Sequence, residues 1–305
     1  MNASEEHIIT AAPNPEIGSL LSLLDDPDAG VAEVVEARLR SHGNSILHQL
    51  VQFADHCNDQ LAQQRARTIA QEMNVELLAE QFTELRSKLE EKRRGALEDG
   101  VFLIAKYGYP TLDVEYYRSE LDALAGMLHD RIKGIHSPLE SLRATNEFFF
   151  KTKNFIGNHQ HFLEADNSYI NQVLDRKLGI PISLSVLYIL VASHRLGLPY
   201  SGVSTPGHFL IRYDGNPADP VFIDAFNGGV ILREEDIKRF LSTSGLPYYE
   251  TFIRSASPRT ILMRMLRNLV IIFEQLGDET SKAAFDRFQG ILLGSPSESK
   301  NQTTH

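Results

Sequence analysis

The spacing of apolar residues predicts helices over the first third of the chain. From residue 17 to residue 92 apolar side chains recur every three or four positions, as at Val31, Val35 and Leu39. This spacing places them along one side of a helix, which would bury that side against its neighbours. Gly43 interrupts the pattern before it resumes at Ile46. We therefore expect a group of helices before residue 95.

The period of the pattern changes in the centre of the chain. Helical spacing predicts further helices, at 96–106, 114–132, 182–196 and 234–241. Short β-type runs bounded by Pro, Gly and Asn predict strands, at 200–204, 208–213 and 221–224. Ser137-Pro138 and Ser257-Pro258 each combine an N-cap residue with a proline that suits the first helical position. The predicted fold class is α+β, mostly helical, with a small antiparallel sheet near residues 199–232.

These elements divide the sequence into five predicted segments. They are a disordered start at 1–15, a helical flank at 16–94, a mixed core at 95–250, a helical hairpin at 251–294 and a disordered polar tail at 295–305. The flank contains one unit that resembles a HEAT-like repeat. A solenoid needs about three or more such units, so we favour a helical flank that packs on the core.

Composition narrows the classes of function. The chain has 305 residues and a net charge of −10, which disfavours general binding to a phosphate backbone. Its single cysteine, Cys57, excludes an internal disulfide and suits a reducing compartment. The start has no secretory leader pattern, and the longest apolar run, 180–192, is too short to cross a bilayer. We expect a cytoplasmic protein that binds neither nucleic acid nor membrane.

Three residues in the centre could form a catalytic triad. Ser183 follows Pro181 in a predicted first helical turn, His208 begins a predicted strand, and Asp224 ends the next one. A serine nucleophile needs a positioned base, which His208 could supply, and Asp224 could orient the imidazole. Each residue also has a structural interpretation: Ser183 could cap the helix, His208 could bond a loop, and Asp224 could fasten the turn before Gly228-Gly229. Spacing alone leaves both interpretations open.

A metal site is the weaker chemical alternative. His159 and His161 alternate near Glu164 and Asp166, and imidazoles with carboxylates are suitable ligands. Alternate residues share a side only on a strand, and this segment is predicted to be a loop. The sequence has no phosphate-binding glycine loop and no Cys-x-x-Cys pair. We therefore predict no metal and no cofactor.

The central motifs resemble a known family. The run from Val173 to Tyr213, followed by the segment FIDAFNGG at 222–229, resembles the bacterial SirB-type family of transglutaminase-like proteins. The resemblance covers about residues 17–292 and implies a transglutaminase-like (papain-like) core at 95–250, with a tetratricopeptide-like hairpin at 251–294. It aligns Ser183, His208 and Asp224 with the Cys, His and Asp of transglutaminase-like enzymes. Asp224-Ala225 replaces the family's Asp-Pro pair, and the C-terminal repeat region is short.

The resemblance, together with the ordered Ser, His and Asp residues, leaves two alternative functions. Serine at the cysteine position is usual for this family and favours a non-enzymatic regulatory or protein-interaction scaffold whose partner is another protein or a peptide. The alternative is a serine-dependent hydrolase or acyltransferase acting on an amide or ester, with Ser183 as nucleophile, His208 as base and Asp224 as orienting group. The family is associated by name with the regulation of bacterial invasion genes. The sequence does not indicate which oligomeric state the protein adopts.

Overall fold

The structure is a computed structural model that describes residues 15–215 and 220–294. Its α-helices in chain order are α1 Pro15–Ser22, α2 Ala29–Ser41, α3 Leu47–His56, α4 Gln60–Glu90, α5 Ala96–Gly108, α6 Val114–Ile132, α7 Pro138–Glu147, α8 Ile170–Arg176, α9 Pro181–Tyr188, α10 Glu234–Thr243, α11 Pro258–Leu276 and α12 Glu279–Leu293. Apart from Pro15, which begins α1, the predicted disordered ends at 1–15 and 295–305 lie outside the described residues.

The strands form two small sheets. They are β1 Ile156–Gly157, β2 Leu178–Gly179, β3 Tyr200–Thr205, β4 His208–Tyr213, β5 Val221–Asp224 and β6 Val230–Leu232. The first two strands pair in parallel, and the other four form an antiparallel sheet in the order β3-β4-β5-β6. The predicted class, α+β and mostly helical with a small antiparallel sheet, is confirmed. The three-residue strand β6 lies inside the predicted sheet region but was not separately predicted, because it is too short to show a period.

Local sequence explains where several helices begin. The side chains of Asp113, Ser137 and Ser257 accept hydrogen bonds from backbone N–H groups in the first turns of α6, α7 and α11. Such N-caps satisfy donors that would otherwise have no partner inside the helix. The chain leaves α11 at Gly277, whose φ of +71° is in the left-handed region that favours glycine. The signals at Ser137 and Ser257 are local, which is why the sequence analysis located them.

The four-stranded sheet has helices on both faces. On one face Val203, Leu210 and Phe222 pack against Ile237 and Leu241 of α10, since these residues belong to one buried cluster. On the other face Gly202 lies against the ring of Phe209 and against Ile189, which directly follows α9. Side chains alternate between the two faces along a strand. His208 and Asp224 are each two residues from Leu210 and Phe222, so they belong to the α10 face.

The chain divides into two compact units, the first ending at Leu77 and the second beginning at Leu78. The first has a buried apolar core that includes Leu24, Leu39, Leu50 and Ile69. In the second, α11 and α12 form the expected helical hairpin, in which the rings of Phe273 and Phe285 stack 5.6 Å apart. The HEAT-like and tetratricopeptide-like assignments, and the segment limits at 94 and 250, stay predictions. None of the helices described here is both long and apolar enough to span a membrane.

Candidate functional site

Ser183 occupies the first turn of α9, and its hydroxyl group faces the interior. The side chain is fully buried, with 0% of the residue exposed. Its Oγ accepts a hydrogen bond from the Ile180 N–H at 3.0 Å and donates to the Asn167 carbonyl oxygen at 2.5 Å. This closes the start of α9 and links it to the segment before α8. Ser183 therefore caps the helix, which is the structural interpretation that the sequence left open.

His208 and Asp224 lie together on adjacent strands of the sheet. The His208 Nε2 atom is 3.0 Å from Asp224 Oδ1. The N–H direction is poorly aligned with the oxygen, so Nε2 lacks a well-formed hydrogen bond although it is buried. The short distance makes the contact an ion pair whenever His208 is protonated. Among the described residues, the other ring nitrogen, Nδ1, has no hydrogen-bond partner.

Asp224 is held by the turn that follows β5. Its Oδ1 accepts hydrogen bonds from the N–H groups of Phe226 and Asn227, both at 3.1 Å, and its Oδ2 accepts from Asn227 Nδ2 at 2.7 Å. Burial raises the pKa of Asp224, but the contacts with His208 and Asn227 outweigh it, so the pKa lies below the ordinary 3.8. The carboxylate thus fastens the turn and faces the imidazole at the same time.

The three predicted residues are not joined into one chain of hydrogen bonds. Within residues 15–215 and 220–294, the Ser183 hydroxyl bonds only to backbone atoms of Asn167 and Ile180, and it makes no hydrogen bond with His208. Ile189, which directly follows α9, lies against one face of the sheet, whereas His208 and Asp224 belong to the other face. The structure brings the histidine and the aspartate together and directs the serine hydroxyl into the protein.

A cleft of 520 Å³ opens beside His208. It is lined by His159, Phe162, Pro181, Thr205, Gly207, His208, Leu210, Asp224, Phe226, Asn227, Leu232, Asp236, Ile237 and Phe240. Its volume is within the range of small-molecule pockets, and its lining combines apolar side chains with several polar ones. Pro181 reaches the cleft at the start of α9, but Ser183 does not belong to the lining.

Aromatic rings form two walls of this cleft. His159 packs on Phe226 with ring centroids 4.2 Å apart, and Phe162 meets Phe226 edge to face at 5.8 Å. On the α10 side the Phe240 centroid is 6.5 Å from that of His208. Phe226 approaches β1 so closely that a Cβ at Gly157 would lie 2.4 Å from the Phe226 carbonyl oxygen. Gly157, on β1, is therefore required for this close packing.

His159 and His161, the candidate metal ligands, make other contacts in the structure. His159 packs on Phe226, and His161 Nδ1 lies 3.8 Å from Glu164 Oε1. In the part of the chain that the structure describes, no three His, Cys, Asp or Glu side chains are grouped as metal ligands would be. Side-chain amides hold this segment in place. Asn167 Oδ1 accepts a hydrogen bond from Asn158 Nδ2 at 3.0 Å, and Asn167 Nδ2 donates one to the His161 carbonyl oxygen at 2.7 Å.

The sequence analysis did not identify four residues that line the cleft. These are Phe162, Phe226, Asp236 and Phe240. Phe226 could have been found from its place two residues after Asp224, the candidate orienting group that ends β5. Asp236 and Phe240 share a helix at i,i+4 spacing, which places them side by side, but nothing local shows that this helix faces His208.

Comparison with known proteins identifies the family. A profile of the transglutaminase-like superfamily matches residues 115–267. A UPF0162 protein of Xylella fastidiosa (strain 9a5c) is 35% identical over 204 residues, which cover 64% of this chain and 71% of that protein. F-box only protein 21 of Homo sapiens is 27% identical over 212 residues, covering 60% of this chain and 33% of that protein.

The match to the superfamily profile contains Ser183, His208 and Asp224 together with α10. No solved structure matches the chain. The fold class and the profile agree, and the bacterial relative extends the similarity beyond the profile. The chain belongs to the transglutaminase-like superfamily.

Proposed function

We propose that this protein is a non-enzymatic regulatory scaffold that binds another protein or a peptide through the cleft beside His208. The observation that carries the proposal is the position of the Ser183 hydroxyl, which is fully buried and bonded to the backbone of Ile180 and Asn167. A nucleophile must reach both its base and the substrate. The hydroxyl that aligns with the enzymes' cysteine reaches neither in this arrangement.

Two features support a binding role for the cleft. Phe162 and Phe240 are 43% and 49% exposed, and large exposed aromatic side chains beside a concave surface are typical of contact sites. The Nδ1 atom of His208 adds a polar group that has no partner in the described residues. A cleft with apolar walls and an available polar group can bind and orient a segment of another chain.

Two more specific family features, which are themselves part of this proposal, also favour a binding role. The SirB-type resemblance and a tetratricopeptide-like hairpin at 251–294 favour a regulatory protein with a protein partner. The net charge of −10 argues against nucleic acid as that partner. The presence of only one cysteine suits the reducing cytoplasm.

The competing function is a serine-dependent hydrolase or acyltransferase. It is favoured by one observation, the 3.0 Å contact between His208 Nε2 and Asp224 Oδ1, which is the spacing of a base and its orienting group. That function requires the Ser183 side chain to leave Asn167 and Ile180 and turn towards His208. The two functions therefore differ in the reactivity of one hydroxyl group.

The test is labelling with a fluorophosphonate probe, followed by mass spectrometry of the intact protein and of its peptides. The wild type is compared with Ser183→Ala and with the control Ser185→Ala, which removes a second buried hydroxyl from the same helix. We expect no labelling of any of the three proteins. Labelling of wild type and Ser185→Ala that disappears in Ser183→Ala would establish the hydrolase function instead.

A further inference from the structure

We propose that the cleft binds the side chain of an arginine residue in the partner peptide. This inference rests on the proposed binding function and names the chemical group that the cleft recognises. The guanidinium group would donate hydrogen bonds to Asp236 and stack on Phe240, with Leu232 and Ile237 beside the aliphatic part of the side chain. All four residues line the cleft.

The charges of the cleft favour a cation. Among the described residues that line it there is no lysine or arginine, whereas Asp224 and Asp236 are present. Asp224 already accepts from the turn and faces His208. Asp236 has fewer commitments, since its Oδ2 accepts from the Arg233 N–H at 2.9 Å. A carboxylate offers about four acceptor positions, so Asp236 can accept further donors.

The side chain of Arg239 is a positively charged neighbour of Asp236. The Arg239 Nη1 atom is 3.6 Å from Asp236 Oδ1, and the Arg239 side chain is 78% exposed. A long contact of this kind between exposed groups contributes little and is readily exchanged. Arg239 is not part of the cleft lining, whereas Asp236 is.

The carboxylate and the aromatic ring lie on one helix at a spacing that would let a single ligand group contact both. Asp236 and Phe240 are four residues apart on α10, and residues at this spacing are neighbours on the helix surface. Both line the same cleft, and the Phe240 residue is 49% exposed. A planar guanidinium can stack on a ring while donating to an adjacent carboxylate, whereas an ammonium acts as a hydrated point charge. This geometry favours arginine over lysine.

The test uses matched peptides and the 305-residue protein. The probe is a five-residue peptide, acetylated and amidated, with arginine between two leucines and glycine at each end. Three further peptides carry lysine, citrulline or norleucine in place of the arginine. Binding is measured by calorimetry with the wild type, Asp236→Asn, Phe240→Ala and Glu235→Gln. The last variant is the control, because it removes a neighbouring carboxylate of α10 that does not line the cleft.

We expect the arginine peptide to bind about tenfold more tightly than the citrulline and norleucine peptides, and about threefold more tightly than the lysine peptide. Asp236→Asn and Phe240→Ala should each weaken arginine binding by about fivefold or more, while Glu235→Gln leaves it nearly unchanged. Unchanged thermal unfolding of each variant would show that the fold is retained.

Three results would overturn the inference. They are equal binding of the arginine and citrulline peptides, an equal loss in Glu235→Gln and Asp236→Asn, and no binding of the arginine peptide at about 1 mM. None of these results depends on the reactivity of Ser183. Conversely, Ser183-dependent labelling by fluorophosphonate would remove the non-enzymatic function while leaving an arginine preference measurable. The two proposals can therefore fail separately.

Discussion

The two sides of the site use their polar side chains differently. On the α9 side, the Ser183 hydroxyl is fully buried and bonded to two backbone groups. On the sheet side, His208 is partly exposed, contacts Asp224 and retains a ring nitrogen without a partner among the described residues. Buried polar groups with complete hydrogen bonding stabilise a fold, whereas exposed and incompletely bonded groups can bind a ligand. The difference supports a structural role for Ser183 and is consistent with the proposed binding role of His208.

The largest expected effect on stability is that of a substitution at Gly157. Gly157→Ala places a Cβ 2.4 Å from the Phe226 carbonyl oxygen and 2.5 Å from its ring. Backbone must move to relieve this contact, so we expect the free energy of unfolding to fall by about 3 kcal/mol. Urea unfolding measures the change. Gly126→Ala is the control, since nothing lies within 4 Å of its Cβ position and alanine favours a helix. A similar loss in both variants would show that the Phe226 contact is not responsible.

Removal of the buried hydroxyl should have the next largest effect. Ser183→Ala leaves the Ile180 N–H and the Asn167 carbonyl without their partner, which should lower the free energy of unfolding by about 2 kcal/mol. Ser185→Ala removes only a bond to the Pro181 carbonyl within the helix and should cost about 0.5 kcal/mol. Chemical denaturation of both variants gives the comparison. If Ser183→Ala were neutral and Ser185→Ala costly, the structural role of Ser183 would be disproved.

Asp224 should give a smaller effect that depends on pH. Its pKa is lowered in the folded state, so its stabilising contribution is complete above the ordinary 3.8 and is lost as pH falls through the lower folded value. Asp224→Asn should lower the free energy of unfolding by about 1.5 kcal/mol at pH 7, because an acceptor of three hydrogen bonds loses its charge. The difference from wild type should shrink below about pH 4. Unfolding at several pH values tests this, and a difference that grows on acidification contradicts it.

The smallest effect on stability is expected in the cleft wall. Phe240 is 49% exposed, so Phe240→Ala should change the free energy of unfolding by less than about 1 kcal/mol. The buried neighbour Leu241 on the same helix is the control, and Leu241→Ala should cost about 3 kcal/mol. Thermal unfolding separates the two cases. A large loss in Phe240→Ala would mean that the ring stabilises the fold and is not reserved for a ligand.

The sequence predicted the elements that carry the site because their signals are local. Pro181 at the start of a helix and the turn glycines after Asp224 located the first turn of α9 and the end of β5. The direction of the Ser183 hydroxyl was not predictable. It depends on the carbonyl of Asn167, which is 16 residues away, and that approach is fixed by tertiary packing. The cleft was missed for the same reason, since α10 and the loop at His159 meet only in the folded chain.

The chemical accessibility of position 183 tests the central claim most directly. In a Cys57→Ala, Ser183→Cys variant, the thiol at position 183 is the only one in the protein. If this position faces the interior, alkylation by iodoacetamide should be at least about a hundredfold slower in the native protein than in urea, because reaction would require local opening. Native alkylation as fast as that in urea, with a thiol pKa below its ordinary value, would place position 183 beside His208 and contradict the account.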